Sequence, residues 1–360
     1  MRDSNLETVI KKMKRKFKSV DALEGVRQES RGYLPSCVLP IDYVLGMPGF
    51  PLGRVVEIYG FESVGKSAII AALIGACHQF GGFAALCDSE FSYTDNWAQM
   101  FGVIPKDLLM LNTDNLQLVG EQFVYLCNEL NDSVSPVVLA LDSVAATPVL
   151  EEVDSDLSGK SLGLHARTLS RIFRQLTSLI AKLNALFVAT NQMKEKIGVY
   201  GSSGYTKIGG HSFDFHCAVQ IQLKKTQLIK NDEDEVVGLR LDVFCVKNKL
   251  SRPYLRSSVD FYFDSGFDDS RAVLGLASQW GLVKKSGGGW YEFQGRKYQG
   301  NLPADVLEGI EKTVISTFYG ELAPKVLQVR QLRKQGVSCV NDVSTIEGGK
   351  ASEVPREEGT

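Results

Sequence analysis

Residues 55–77 read VVEIYGFESVGKSAIIAALIGAC, and the order of their parts decides the fold. A β-branched apolar run at 55–59 ends in Gly60-Phe61-Glu62-Ser63-Val64-Gly65-Lys66-Ser67, which satisfies GxxxxGK[ST], and a helix-forming stretch follows at once. Strand, glycine loop and helix in that order make a phosphate cradle. The glycines let backbone N–H groups turn toward phosphate oxygens, and the helix N-terminus adds partial positive charge. Lys66 is expected to reach the β and γ phosphates of ATP and Ser67 to offer its hydroxyl to Mg²⁺. Gly60, Glu62, Ser63, Val64, Gly65 and Ala68 complete the expected loop contacts.

Outward from this unit, apolar β-rich runs alternate with helical stretches. FAALCD (83–88), VVLALD (137–142) and ALFVATNQ (185–192) are expected strands; 66–78, the region near 117–130, and 162–183 are expected helices. That alternation implies right-handed crossovers and a mostly parallel sheet between helical layers. Runs at 217–223 and 239–247 flank the acidic turn NDEDE (231–235) and predict an antiparallel extension. The result is a three-layer α/β P-loop core over 33–270. Short helices around the aromatic GGGWYEFQGRKYQG (287–300) predict a small C-terminal module over 271–330. Residues 331–360 end in a Ser, Gly and Glu-rich stretch, expected as a disordered acidic tail.

Residues 1–32 open with Leu6, Val9, Ile10, Met13, Phe17 and Val20 at helical spacing, surrounded by lysines and Arg15. A lone helix must bury such a stripe. Its own core and a neighbouring subunit are both open as partners, whereas the narrow apolar face disfavours a membrane. The 360 residues carry 40 Lys+Arg against 42 Asp+Glu, a net charge of −2, so any nucleic-acid contact is local. Seven scattered cysteines without CxxC spacing point to a reducing compartment, the cytoplasm, and away from structural zinc.

The strand ends supply the remaining chemistry. Asp142 closes VVLALD, where a P-loop site needs a second Mg²⁺-side carboxylate; a plain turn cap is the bland alternative. Glu90 lies just beyond FAALCD and is the candidate to polarise the attacking water, with Asp88 as the competitor. Gln192 ends its strand with a carboxamide able to sense the terminal phosphate. Beyond it, residues 194–210, KEKIGVYGSSGYTKIGG, hold five glycines, three lysines and two tyrosines. Such a loop suits a single-stranded polynucleotide, through Lys194, Lys196 and Lys207 on phosphates and tyrosines on bases; a surface lid is the alternative.

These blocks resemble the RecA family of strand-exchange ATPases over roughly 33–300: GRVVEIYGFESVGKS, CDSEF, VVLALDSVAA, NQMKEKIGVYG, VKNKLSRPY and GGGWYEFQGRKYQG stand in the family's order. The resemblance implies a filament on single-stranded DNA, with ATP between subunits and homologous pairing with duplex DNA. It assigns Lys66, Glu90, Gln192, Lys247 and Lys249 to catalysis, the two later lysines reaching a neighbour's ATP. Mg²⁺ falls to Ser67 and Asp142, and the adenine to Trp97 in place of a usual tyrosine. DNA falls to Arg167 and Arg174, with Arg171 between them on the same basic helix face, otherwise a plain solvated face, and to Lys194, Lys196, Ile197, Gly198, Val199, Tyr200, Lys207, Gly209 and Gly210, with a first DNA loop near 155–163. Phe215, with Lys247 and Lys249, takes the subunit interface. Further implied partners are a single-strand binding protein and loader proteins, and no membrane. Thr94 and Asp214 depart from the family's usual Asp and Lys and suggest a divergent, phage-type member. The alternatives are a ring-forming motor of the same fold, helicase-like, and a DNA-binding module without turnover.

Overall fold

The computed structural model describes residues 32–344 except 114, 131–133, 150–162, 196–204 and 208–211, together with residues 12 and 15. Lys12 and Arg15 are helical and exposed; the rest of the amphipathic N-terminal stretch lies outside the described residues. A small antiparallel pair, β1 (Tyr33–Leu34) and β2 (Phe50–Pro51), brackets helix α1 (Leu39–Tyr43). The core then alternates: β3 (Arg54–Gly60), α2 (Lys66–Gln79), β4 (Phe83–Asp88), α3 (Asp95–Gln99), β5 (Leu108–Met110), α4 (Leu116–Glu129), β6 (Val137–Asp142), α5 (Leu164–Leu183) and β7 (Leu186–Glu195). Next come β8 (Tyr205–Lys207), α6 (Ser212–His216), β9 (Val219–Lys230), β10 (Val236–Asn248), β11 (Arg256–Tyr262) and β12 (Gly266–Asp268).

The ten-stranded sheet runs β12-β11-β10-β9-β3-β7-β6-β4-β5, with β8 hydrogen-bonded to β7. Strands β3, β4, β5, β6 and β7 pair in parallel, as right-handed crossovers require. The expected antiparallel extension needs one correction. Strand β9 itself runs parallel to β3, and antiparallel pairing begins only between β9 and β10.

Helix α2 is apolar all round because it is covered on every side. Helix α5 instead buries Leu169, Phe173, Leu176, Ile180 and Leu183 as one stripe and ends at Asn184 in the left-handed conformation. Phe173 meets Phe187 of β7 edge-on at 5.1 Å and Phe213 of α6 at 4.8 Å. Burying one such ring stabilises the fold by about 2–3 kcal/mol, and this one holds α5, β7 and α6 together.

The C-terminal elements are α7 (Ser270–Gln279), β13 (Val283–Ser286), β14 (Trp290–Phe293), β15 (Arg296–Gln299), α8 (Ala304–Tyr319) and α9 (Ala323–Ser344). Their buried residues, Val273 through Val329, belong to the same apolar core as α2 and β3. Helix α9 also corrects the expected tail, since it crosses position 331 and continues to Ser344. The reason is a set of buried arginines that composition alone reads as solvated. Arg330 forms ion pairs with Asp269 and Glu311, both at under 3 Å, and donates to Cys37 O. Arg333 donates to Phe101 O, Ser36 O and Ala72 O. Nearby, buried Asp42 accepts from the Ser36 N–H at 3.0 Å and the Tyr319 hydroxyl at 2.7 Å. Residues 345–360 of the expected tail lie outside the described residues. Among the described residues no helix is long and apolar enough to cross a membrane.

Candidate active site

Sheet register assembles the site. Gly60 lies opposite Gln192, Leu141 opposite Ala189, and Asp88 opposite Asp142, so the C-terminal tips of β3, β7, β6 and β4 stand level. A parallel sheet gathers strand-tip residues at one edge in this way.

At the P-loop, Ser63 (φ 54°) and Gly65 (φ 76°) take left-handed conformations that bend the backbone around the cradle. Gly60 is required for a different reason: a Cβ there would lie 2.5 Å from Leu223 O of the neighbouring β9. Helix α2 then starts at Lys66 without a side-chain cap, so its first-turn N–H groups are free to meet an anion. Lys66 is buried, and its ammonium donates to Phe61 O at 2.7 Å. Burial lowers its pKa, while Glu90, Asp142 and Glu62 pull the other way.

Asp142 is almost wholly buried. The Thr190 hydroxyl donates to Oδ1, while Oδ2 is a buried oxygen with no hydrogen-bond partner. Burial raises the Asp142 pKa, opposed by hydrogen bonds from Thr190 and Ser67. An orphaned carboxylate oxygen beside a serine hydroxyl suits a hard divalent cation, and the residues fit Mg²⁺.

Glu90 accepts from the Ser143 hydroxyl at 2.7 Å and from Gln192 Nε2 at 3.2 Å, both on Oε1. Asp88, its competitor, is consumed by backbone donors: the N–H groups of Glu90, Ser92 and Tyr93 all bond its carboxylate at 2.8–3.2 Å. Of these two, Glu90 is the exposed carboxylate facing the cavity. The cavity, about 440 Å³, is lined by the P-loop, Glu90, Ser92, Trp97 and Gln192, with Leu239, Phe261 and Phe263 on its apolar side. Trp97 packs edge-on against Tyr93 at 5.1 Å and Phe101 at 4.9 Å, which fixes its ring at the cavity wall. A larger cleft of about 740 Å³ lies among α7, α8 and α9, but it lacks a glycine cradle. Size therefore does not locate the site; phosphate-directed chemistry does.

Lys247, Lys249 and Phe215 lie elsewhere. Lys247 is level with Gln220, which is level with Glu57, three residues before Gly60 on the P-loop strand. At about 3.3 Å per residue that separation is roughly 10 Å, beyond what a lysine side chain spans toward its own P-loop. The Lys247 ammonium donates to Asp214 O and that of Lys249 to Phe215 O at 3.1 Å. Phe215 is 76% exposed.

Of the expected DNA contacts, Arg167, Arg171 and Arg174 are exposed on α5, opposite its buried stripe. Lys196, Ile197, Gly198, Val199, Tyr200, Gly209 and Gly210 lie outside the described residues, as does the first loop but for Gly163; Lys194 is described in its backbone only, within β7. Lys207 corrects the reading of that loop. Its ammonium is bound by Glu57 Oε2 at 2.6 Å and by Asp214, so it is committed to carboxylates instead of phosphate.

Sequence reasoning passed over Ser143, Thr190 and Glu57. The first two are small polar residues beside strand tips, with no signal of their own. Glu57 did carry one, as the single acidic residue inside an apolar strand.

Residues 4–268 match the family model described as the RecA N-terminal domain. The chain is 34% identical over 271 residues to Protein RecA of Syntrophus aciditrophicus (strain SB), covering 75% of this chain and 77% of that one. With Protein RecA of Leptospira meyeri it shares 35% over 259 residues, 72% of this chain and 65% of the relative. With Protein RecA of Bifidobacterium longum (strain NCC 2705) it shares 32% over 296 residues, 82% and 73% of the two chains. With more than half its length under the family model and a P-loop, Mg²⁺-side carboxylate and Glu90–Gln192 pair at one sheet edge, the chain belongs to the RecA family.

Proposed function

We propose that the chain is an ATP-dependent homologous recombinase that forms helical filaments on single-stranded DNA and pairs and exchanges homologous strands in recombination and DNA repair. Its chemistry is DNA-dependent hydrolysis of ATP to ADP and phosphate. The observation that carries this reading is the hydrogen bond from Gln192 to Glu90. Gln192 sits on β7, and β7 runs on within three residues to the segment expected to hold DNA. One strand thus connects the hydrolytic carboxylate to the polynucleotide.

In the reaction, Glu90 orients water toward the γ-phosphorus and accepts its proton, while the Ser143 hydroxyl holds that carboxylate in place. Lys66 and the first-turn N–H groups of α2 bind the phosphates and stabilise charge that grows on the leaving β-phosphate. Ser67 and Asp142 would hold Mg²⁺, which when bound supplies neutralising charge to phosphate oxygens. Gln192 exchanges Glu90 for the terminal phosphate when ATP is present, and releases it when phosphate leaves. Trp97 offers the adenine a π-face. Lys247 and Lys249, out of reach of their own P-loop, complete the site of an adjacent protomer next to Phe215.

Phosphate release measured with and without single-stranded DNA, combined with electron microscopy in a non-hydrolysable ATP analogue, tests the reading. DNA-stimulated turnover and helical filaments are expected. Rings without filaments would favour a helicase-like motor, and no stimulated turnover a binding module.

A further inference from the structure

A buried charge network occupies the middle of the P-loop strand, well away from the phosphates. Glu57 is completely buried in β3. Its Oε1 accepts from Asn191 Nδ2 at 2.9 Å, and its Oε2 accepts from Gln220 Nε2 and the Lys207 ammonium, each at 2.6 Å. Asp214 of α6 joins from the other side, accepting from Gln220 at 2.8 Å and from Lys207. Lys207 also lies 4.6 Å above the Tyr59 ring. Three elements, β3, β8 and α6, therefore meet on one ammonium, and Gln220 of β9 ties the two carboxylates together.

Without Lys207 the fully buried Glu57 carboxylate would face the partly buried Asp214 carboxylate with only the neutral Gln220 amide between them, an unfavourable arrangement. Residue 214, acidic where the family resemblance expects lysine, is thus matched by a lysine seven residues earlier. The same helix turn presents Phe215 outward and receives Lys247 on the Asp214 carbonyl.

We propose that Lys207 and Asp214 are paired positioning residues, a charge-exchanged clamp that fixes β8 and the Phe215-bearing helix α6 to the middle of the P-loop strand. The link between DNA and nucleotide then runs through this internal ion pair, with neither side chain touching DNA phosphate or ATP. The inference deepens the proposed recombinase reading and rests on it for its functional consequence.

The test uses the full chain carrying Lys207→Met, Lys207→Arg or Asp214→Asn. Hydrogen exchange is followed at the amides of 205–207 and 212–216, along with the ratio of DNA-stimulated to basal phosphate release. Lys207→Met and Asp214→Asn should speed exchange in both segments and lower the ratio about tenfold, within the ordinary range of coupling between sites. Lys207→Arg, which keeps the charge, should retain protection and ratio. The salt dependence of single-strand binding should keep its slope in Lys207→Met; a phosphate-contacting lysine would reduce it by about 0.7. Unchanged exchange at 212–216 in Lys207→Met overturns the clamp, as does a slope reduced by that amount. Should Lys207→Met fail to fold, Asp214→Asn decides, since asparagine keeps the acceptor for Gln220: unchanged exchange at 205–207 overturns the clamp. If the unaltered chain shows no stimulation by DNA, the recombinase reading fails, and hydrogen exchange still judges the clamp.

Discussion

The tips of β3, β4, β6 and β7 and the anchor of helix α9 both bury charge, and they treat it differently. At the tips, among the described residues, Asp142 keeps an oxygen without a partner and the Lys66 ammonium bonds a single carbonyl. At the anchor, Arg330 has two carboxylates and Arg333 three carbonyls. Unsatisfied buried groups cost stability and are retained where a ligand will later satisfy them. Fully paired ones lock elements together. Chemistry at the tips and attachment at the anchor are therefore separable by mutation.

The largest expected effect breaks the anchor. Arg330→Met strands the buried Asp269 without its cation, leaves Glu311 only the exposed Lys334, and should destabilise the fold by about 3–5 kcal/mol, read by denaturant unfolding. An unchanged midpoint would mean that the anchor is not holding α9. On the other side, Glu90→Ala should slow ATP hydrolysis about a thousandfold while nucleotide and DNA binding persist and unfolding is unmoved. Hydrolysis at the unaltered rate would remove Glu90 from the reaction.

Asp42 sharpens the contrast, because its partners are neutral. Burial pushes its carboxyl up to about 6, with the Tyr319 and Ser36 hydrogen bonds opposing. Between pH 3.8 and about 6 the folded chain keeps a proton that the unfolded chain has lost, so this group's contribution to stability falls as pH rises through that window. Asp42→Asn should remove that dependence and raise stability at neutral pH by about 2 kcal/mol. A parallel pH profile in the variant would refute the assignment. The smallest effect on stability belongs to Asp142→Asn, which removes an under-compensated charge and should gain about 1 kcal/mol while hydrolysis is lost. A loss of stability would show that Asp142 serves the fold.

The legible parts of the molecule are those that depend on chain order. Strands β4 and β6 fall at 83–88 and 137–142 as expected, because uninterrupted apolar runs bounded by a polar tip leave little choice. Glu90 and Asp142 were readable for the same reason, standing at or just past a strand end, whereas β7 runs three residues beyond Gln192, where the apolar run predicts its end. Lys207 was not readable. Whether a loop lysine meets phosphate or carboxylate depends on the register that brings Glu57, Gln220 and Asp214 together across strands. Helix α9 escaped because Val326 and Val329 are too few to outweigh its arginines, whose burial follows from carbonyls and acids distant in sequence.

The half-strand gap between Lys247 and the P-loop has a consequence for bookkeeping among copies. On the proposed reading no molecule owns a whole reaction centre: each lends lysines to one neighbour and borrows them from the other. Two defective preparations, one lacking Lys66 and the other lacking Lys247 and Lys249, should then revive each other when mixed, at those junctions where their intact halves happen to meet.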